Sequence, residues 1–258
     1  VVVSDYLHPD LAKINREYIK TNRPWILVKI EGVVAWAGPL IRPKATACWQ
    51  CIAKRIEVNR EVERYVNTCC EKPNTNTSTS ELPSLTTANI SFVAMEIAKN
   101  LRVASEKSLE NKIVTFNSLA NEFSTHAATK RPQCGACGES DVIEPQPIVL
   151  ESQPKVHAAV SGHRSVLPQE TFAKYEQQIS PITGTVTRIA PRESHSGLVN
   201  NYSAGHYIPR YGNSKLEEVQ VSRWARSGGA AHSVIAAKTA ALCESIERCS
   251  GNDRFAGK

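Results

Sequence analysis

No apolar run in the 258-residue chain approaches the roughly 18 to 20 residues that a helix needs to cross a bilayer. The opening VVVSDYLHPD has neither the basic flank nor the apolar length of a secretory signal. Strong charge is missing too. The formal net charge is +6 and the basic residues are spread along the chain, so nothing marks a nucleic-acid or anionic-membrane partner. Eight cysteines are too few for a disulfide-dense secreted scaffold of this length. These absences predict a soluble, cytoplasmic protein, and in a reducing compartment paired cysteines point to a metal or to catalysis. No nucleophile elbow supports serine-hydrolase chemistry, and no internal repeat is visible.

What is present suits one large or two ordinary globular domains, with 41% hydrophobic and 22% charged residues. The β-branched opening VVV reads as the end of a buried strand of an α/β fold. Because no methionine precedes it, the natural protein is expected to extend further upstream. PDLAKINREYIKTNR places Leu11, Ile14, Tyr18 and Ile19 on one helical face, and PWILVKIEGVVAWAGPLI reads as two strands turning at Glu31-Gly32. Helix is predicted over 49–66. A polar, mobile loop is predicted over 71–84, and then a helix whose apolar stripe is Ile90, Val93, Ala94, Ile97 and Leu101. NKIVTFNSLANEFSTHAAT is strand-like. The proline-rich stretch 141–154 reads as a linker between a domain at 1–140 and another at 155–258. The second begins with a short helix, a turn and strands, and closes on an alanine-rich helix.

Cys48 and Cys51 in ACWQCIAKR stand three positions apart, and Cys134 and Cys137 in RPQCGACGE repeat that offset. Two such pairs supply four thiolates, a closed tetrahedral shell for a structural zinc that leaves no open position for water. Gly135 and Gly138 would let backbone amides turn toward the sulfurs. A redox role would explain one pair and leave the other idle, and inert buried thiols are the remaining alternative. The neighbours Cys69 and Cys70 read as plain thiols.

Glu244 and Glu247 in AALCESIERCSG lie one helical turn apart, with Arg248 beside them. That spacing suits magnesium held together with nucleotide phosphates, but on periodicity alone a solvated helical face is the better reading. His163 and His206 each follow a glycine, and either a structural or a functional role fits them.

Taken in order, DYLHPDLAKIN, NRPWILVKIEG, GPLIRP, CWQCIAKRIEVNREVE, MEIAKNL, KRPQCGACG, KYEQQISPITGTVT, AGH and ALCESIERCSG resemble the ATP-dependent cyclodehydratases of azoline-forming peptide biosynthesis, in particular the cyanobactin heterocyclases. The resemblance implies an α/β (overall α+β) fragment. It would hold the later half of an adenylating-enzyme-like domain with a structural zinc at Cys48, Cys51, Cys134 and Cys137, followed by the start of a YcaO domain. It also implies ATP and Mg at Glu244 and Glu247, a ribosomally made precursor peptide as partner, and a homodimer, with no nucleic acid and no membrane. The activity implied converts Cys, Ser or Thr to thiazoline or oxazoline. Departures accompany it: Ala230 and Ala231 stand in SGGAA where the family carries a lysine and a glycine, Cys249 replaces a tyrosine, and NDRFAGK replaces a Gly-Asp-Glu. This polypeptide alone is therefore expected to turn over neither ATP nor peptide. Two further readings are a non-catalytic scaffold that docks a peptide or enzyme, and an adenylating enzyme of the ubiquitin-activating type.

Overall fold

The computed structural model describes residues 1–69, 82–102, 109–138, 147, 149–152, 154, 157–159, 162–193, 197–206 and 226–253. The chain divides into two compact units, Val1–Ser140 and Asp141–Lys258. The stretch 71–81 of the expected loop and most of the expected linker lie outside the described residues.

In the first unit β1 (Val2–Val3) leads through α1 (Asp10–Thr21) to β2 (Trp25–Lys29), which it pairs in parallel. β3 (Val34–Ile41), β4 (Lys112–Asn117) and β5 (Glu122–Ala127) extend the sheet antiparallel in the order β1-β2-β3-β4-β5. The turn at Glu31-Gly32 forms as the sequence predicts. Leu11 is buried on α1 and Ile14, Tyr18 and Ile19 are partly so, which confirms that helical face.

The helix expected over 49–66 is two, α2 (Trp49–Asn59) and α3 (Glu61–Cys69), broken at Arg60. The break carries the Arg60 guanidinium to 2.6 Å from Asp5 and over the Trp36 ring at 5.6 Å. α4 (Pro83–Arg102) packs on β3, and Phe92 and Val93 join Val28, Ala35, Ala37 and Leu109 in the core.

The apolar stripe read on α4 holds at Val93 and Ile97, which meet the core, but is turned from the true one at its other positions. Ile90 is 49% and Leu101 81% exposed, and Ala94 faces solvent, while Asn89, Phe92 and Val93 are buried. Asn89 sets that rotation, because its Nδ2 donates to the carbonyls of Ile30 and Gly32, each at 2.9 Å. The two carbonyls satisfied by this amide tie α4 to the β2–β3 turn and leave Ile90 on the outer side of the helix.

The second unit holds a hairpin, β6 (His157–Ala159) and β7 (Gly162–Arg164), then α5 (Pro168–Tyr175) and a three-stranded antiparallel sheet. The sheet order is β10-β9-β8, with β8 (Arg188–Arg192), β9 (Asn200–Gly205) and β10 (Arg226–Ala231). The last helix, α6 (Val234–Asp253), lies across β10 and β9 and also meets α5. Val186, Ala204, Ala241 and Leu242 form its core. Gly229 makes this approach possible: a Cβ there would stand 2.1 Å from the Ala237 carbonyl oxygen and 2.4 Å from the Ala241 nitrogen. The mixed α/β class expected from the sequence is the class observed. Among the described residues no helix is long and apolar enough to cross a membrane.

Candidate functional site: a four-cysteine cluster and an acidic helix turn

α2 begins where a metal ligand would have it begin. Cys48 is the N-cap in extended conformation and Cys51 lies in the first turn, its N–H donating to the Cys48 carbonyl at 3.1 Å. Both sulfurs thereby sit at the positive end of the helix, which favours thiolates. Trp49 fixes this helix start: its backbone N–H donates to Asn15 Oδ1 at 3.1 Å and its indole Nε1 to the Tyr6 carbonyl at 2.6 Å. The second pair is carried by a tight loop, in which the Cys134 N–H donates to Arg131 O at 3.1 Å and the Gly138 N–H to Cys134 O at 2.7 Å. A Cβ on Gly138 would lie 2.3 Å from the Pro132 carbonyl oxygen, so only glycine closes the loop.

The four sulfurs converge. Cys48 Sγ is 4.0 Å from Cys51 Sγ and 3.6 Å from Cys134 Sγ, Cys51 Sγ is 3.4 Å from Cys137 Sγ, and all four lie within 4.8 Å of one another. A tetrahedral zinc with Zn–S near 2.3 Å requires S···S separations of about 3.8 Å, and the cluster brackets that value. Cys48, Cys51 and Cys134 are buried and Cys137 is partly so.

Contact with Cys134, then with Cys137, pushes the thiols of Cys48 and Cys51 far up, while hydrogen bonding from Cys137 and Cys48 pulls Cys134 far down. A divalent cation at the centre would let all four ionise together. The Arg131 N–H donates to Cys51 Sγ at 3.3 Å, and the backbone amides of Ala136 and Cys51 hydrogen-bond the sulfurs of Cys134 and Cys48. The Ala136 amide, between the two glycines, turns toward a sulfur as expected, while the Gly138 amide donates to the Cys134 carbonyl and Gly135 has room for a side chain. Exposed Cys69 stays outside the cluster, and Cys70 lies outside the described residues.

In the second unit Glu244 and Glu247 share a face of α6, Glu244 half-buried and Glu247 exposed. Glu244 is engaged at both oxygens: Oε1 pairs with Arg248 Nη2 at 2.6 Å, and Oε2 accepts the Gly228 N–H at 3.1 Å. Gly228 is open to approach, since a Cβ there would meet nothing within 4 Å. Carboxylate oxygens are the donors magnesium takes, and Glu244 could offer Oε1 to an ion only in exchange for its pair with Arg248. Ala230 and Ala231 lie on β10 opposite Asn201 and Asn200. Cys249 is buried with its Sγ 3.7 Å from the Thr185 carbonyl.

His206 is 4% exposed and its Nδ1 lies 2.9 Å from Ser245 Oγ, whereas His163 is a β7 residue opposite Ala158. Neither the Ser245 contact nor the Gly228 contact is visible in the sequence, because the partners are brought together only by sheet register.

The fold as a whole is similar to a heterocyclase solved in complex with substrate and cofactor, with a TM-score of 0.83 and 35% identity over 97% of this chain. This chain belongs to the heterocyclase family. The heterocyclase TruD is similar as well, at 37% identity and a TM-score of 0.60 over 73% of the chain. The chain spans about a third of the length of these heterocyclases, 34% of the first and 28% of TruD. No protein-family profile matches it, and no curated protein does.

Proposed function

We propose that the chain is part of an ATP-dependent cyclodehydratase acting on a ribosomally made precursor peptide in the cytoplasm. Residues 1–140 form its adenylating-enzyme-like zinc domain, 141–154 a linker, and 155–258 the start of its YcaO domain. The observation that carries this reading is the heterocyclase likeness over nearly the whole chain. In this reading a Cys, Ser or Thr side chain of the peptide adds to the preceding carbonyl carbon. ATP supplies the phosphoryl group that converts the resulting oxyanion into a leaving group. Phosphate departs as the amide nitrogen gives up its proton, and the C=N bond of a thiazoline or oxazoline forms.

Cys48, Cys51, Cys134 and Cys137 hold a structural zinc that joins the start of α2 to the 131–138 loop and has no open position for chemistry. Glu244 and Glu247 hold a magnesium ion beside the nucleotide, and the Gly228 N–H orients the first carboxylate. The full-length protein works as a homodimer. The test is ATP-dependent loss of water from a cysteine-containing precursor peptide, followed by mass, with Glu244→Ala and Glu247→Ala each abolishing it. Unchanged turnover in both variants would refute the assignment.

A second reading has an observation of its own: Glu244 is neutralised by Arg248, and Ala230 and Ala231 offer no cation to a phosphate. A non-catalytic scaffold that docks a precursor peptide would look like this. Calorimetric titration with Mg-ATP separates the two, since the scaffold binds the peptide and leaves the nucleotide free.

A further inference from the structure

β9 ends at Gly205, and the next residue, His206, turns its ring under α6. Ser245 is fully buried, with its Oγ 2.9 Å from His206 Nδ1 and 3.5 Å from the Ala204 carbonyl. Two proton arrangements satisfy this geometry. Either Ser245 donates to Nδ1, or Nδ1–H donates to Ser245, which then donates to Ala204. Both tie the same turn of α6 to the end of β9, and that turn carries Glu244 and Arg248.

A second buried hydroxyl belongs to this level. Gly229 stands against Ala237 and Ala241. Two residues back along a strand cover roughly 6.6 Å and four residues on along a helix roughly 6 Å, so Ser227 comes opposite the Ser245 turn. Gly228 meeting Glu244 fits the same register. Ser227 is 2% exposed and its Oγ has no hydrogen-bond partner. Core packing alone favours apolar side chains at such places, because an unpaired buried hydroxyl gives up its water partners without replacing them.

The charged groups that face His206 are Arg248 and Glu244 of α6. On the β8 side the neighbour is uncharged Thr187, whose N–H donates to Gly205 O at 2.8 Å. Arg188 and Arg226 pair opposite Gly205 and therefore occupy the other face of the sheet. Burial, then Arg248, hold the imidazole below its ordinary proton affinity, with the Ala204 carbonyl and Glu244 opposing. An imidazolium here would repel Arg248 and compete for Glu244, whereas the neutral ring leaves that pair to each other and to an incoming ligand.

We propose that His206, acting through Ser245, is a positioning residue for Glu244 and Arg248, and thereby for the magnesium nucleotide; the nucleotide part rests on the proposed function above. In the full-length protein His206→Ala weakens Mg-ATP binding about tenfold or more, the usual scale for a partner that orients a metal ligand. Asparagine places an amide where Nδ1 lies and glutamine where Nε2 lies, so His206→Asn restores affinity and His206→Gln does not.

Independently of nucleotide, the imidazole nitrogen resonances of His206 report its proton affinity, which rises in Arg248→Gln and falls in Glu244→Gln. Wild-type affinity in His206→Ala, or equal affinities in the Asn and Gln variants, overturns the positioning role. Resonances indifferent to both charge changes overturn the coupling. Mg-ATP binding retained in Glu244→Ala overturns the nucleotide assignment instead, while the resonances still decide whether His206 senses the pair.

Discussion

Removing the zinc proposed for the four-cysteine cluster would release a cross-link between segments 86 residues apart in sequence. Treating the ion as a rigid tie, the loop-closure relation for a ring of that size gives about 4.6 kcal/mol at 25 °C. Against a typical domain stability of about 5–15 kcal/mol, that is a third or more of the whole. For a unit spanning Val1–Ser140 the unfolding entropy is about 0.29 kcal/mol/K, so the loss lowers the melting temperature by about 16 °C. Native mass spectrometry counts one zinc per chain before chelation. Scanning calorimetry before and after chelation reads the shift. Cys51→Ser and Cys134→Ser reproduce it without chelator, and Cys69→Ser, outside the cluster, leaves the transition where it was. An ion-free protein that melts at the metal-loaded temperature would refute both the tie and the zinc assignment.

Gly229→Ala drives a methyl into the backbone of α6 and destabilises the second unit by about 1–3 kcal/mol, or dislodges the helix, as read from urea unfolding. Asn89→Ala leaves two carbonyls without their donor and costs about 2 kcal/mol, while Ile90→Ala on the exposed side of α4 costs under about 0.5 kcal/mol; the same denaturant assay compares them. His126 is held below its ordinary proton affinity by burial, so the stability it contributes is complete above the unfolded-state value of 6.5 and is lost as pH falls through the lower folded value. Melting temperature followed downward from pH 7 shows that decline, and His126→Gln flattens it.

The elements legible in the sequence are those whose signal is local. The α1 face and the β2–β3 turn follow from periodicity and turn residues alone, and the strand character of 112–127 is legible although its division into a hairpin is not. Both cysteine pairs are visible because ligand spacing is a local property, and only their meeting had to be supplied by the fold. The α4 stripe was legible but misread, because an asparagine in the buried face carries no hydrophobic signal. β10 escaped notice as a strand, since Arg-Ser-Gly-Gly-Ala-Ala has almost no β propensity and is held by pairing with β9 and by close packing of α6. The His206–Ser245 contact spans 39 residues and depends on which residue ends β9, a register that no short motif encodes.

Trp49 has a consequence beyond packing. The residue next to the first sulfur ligand is anchored through its amide to α1 and through its indole to the segment that follows β1. Loading or stripping a cation there would thereby be felt at α1 and at the segment that follows β1. Amide hydrogens of the opening strand and of the β-α-β crossover should exchange faster in the stripped protein, turning a remote thiolate centre into a tensioning peg for the entry of the chain.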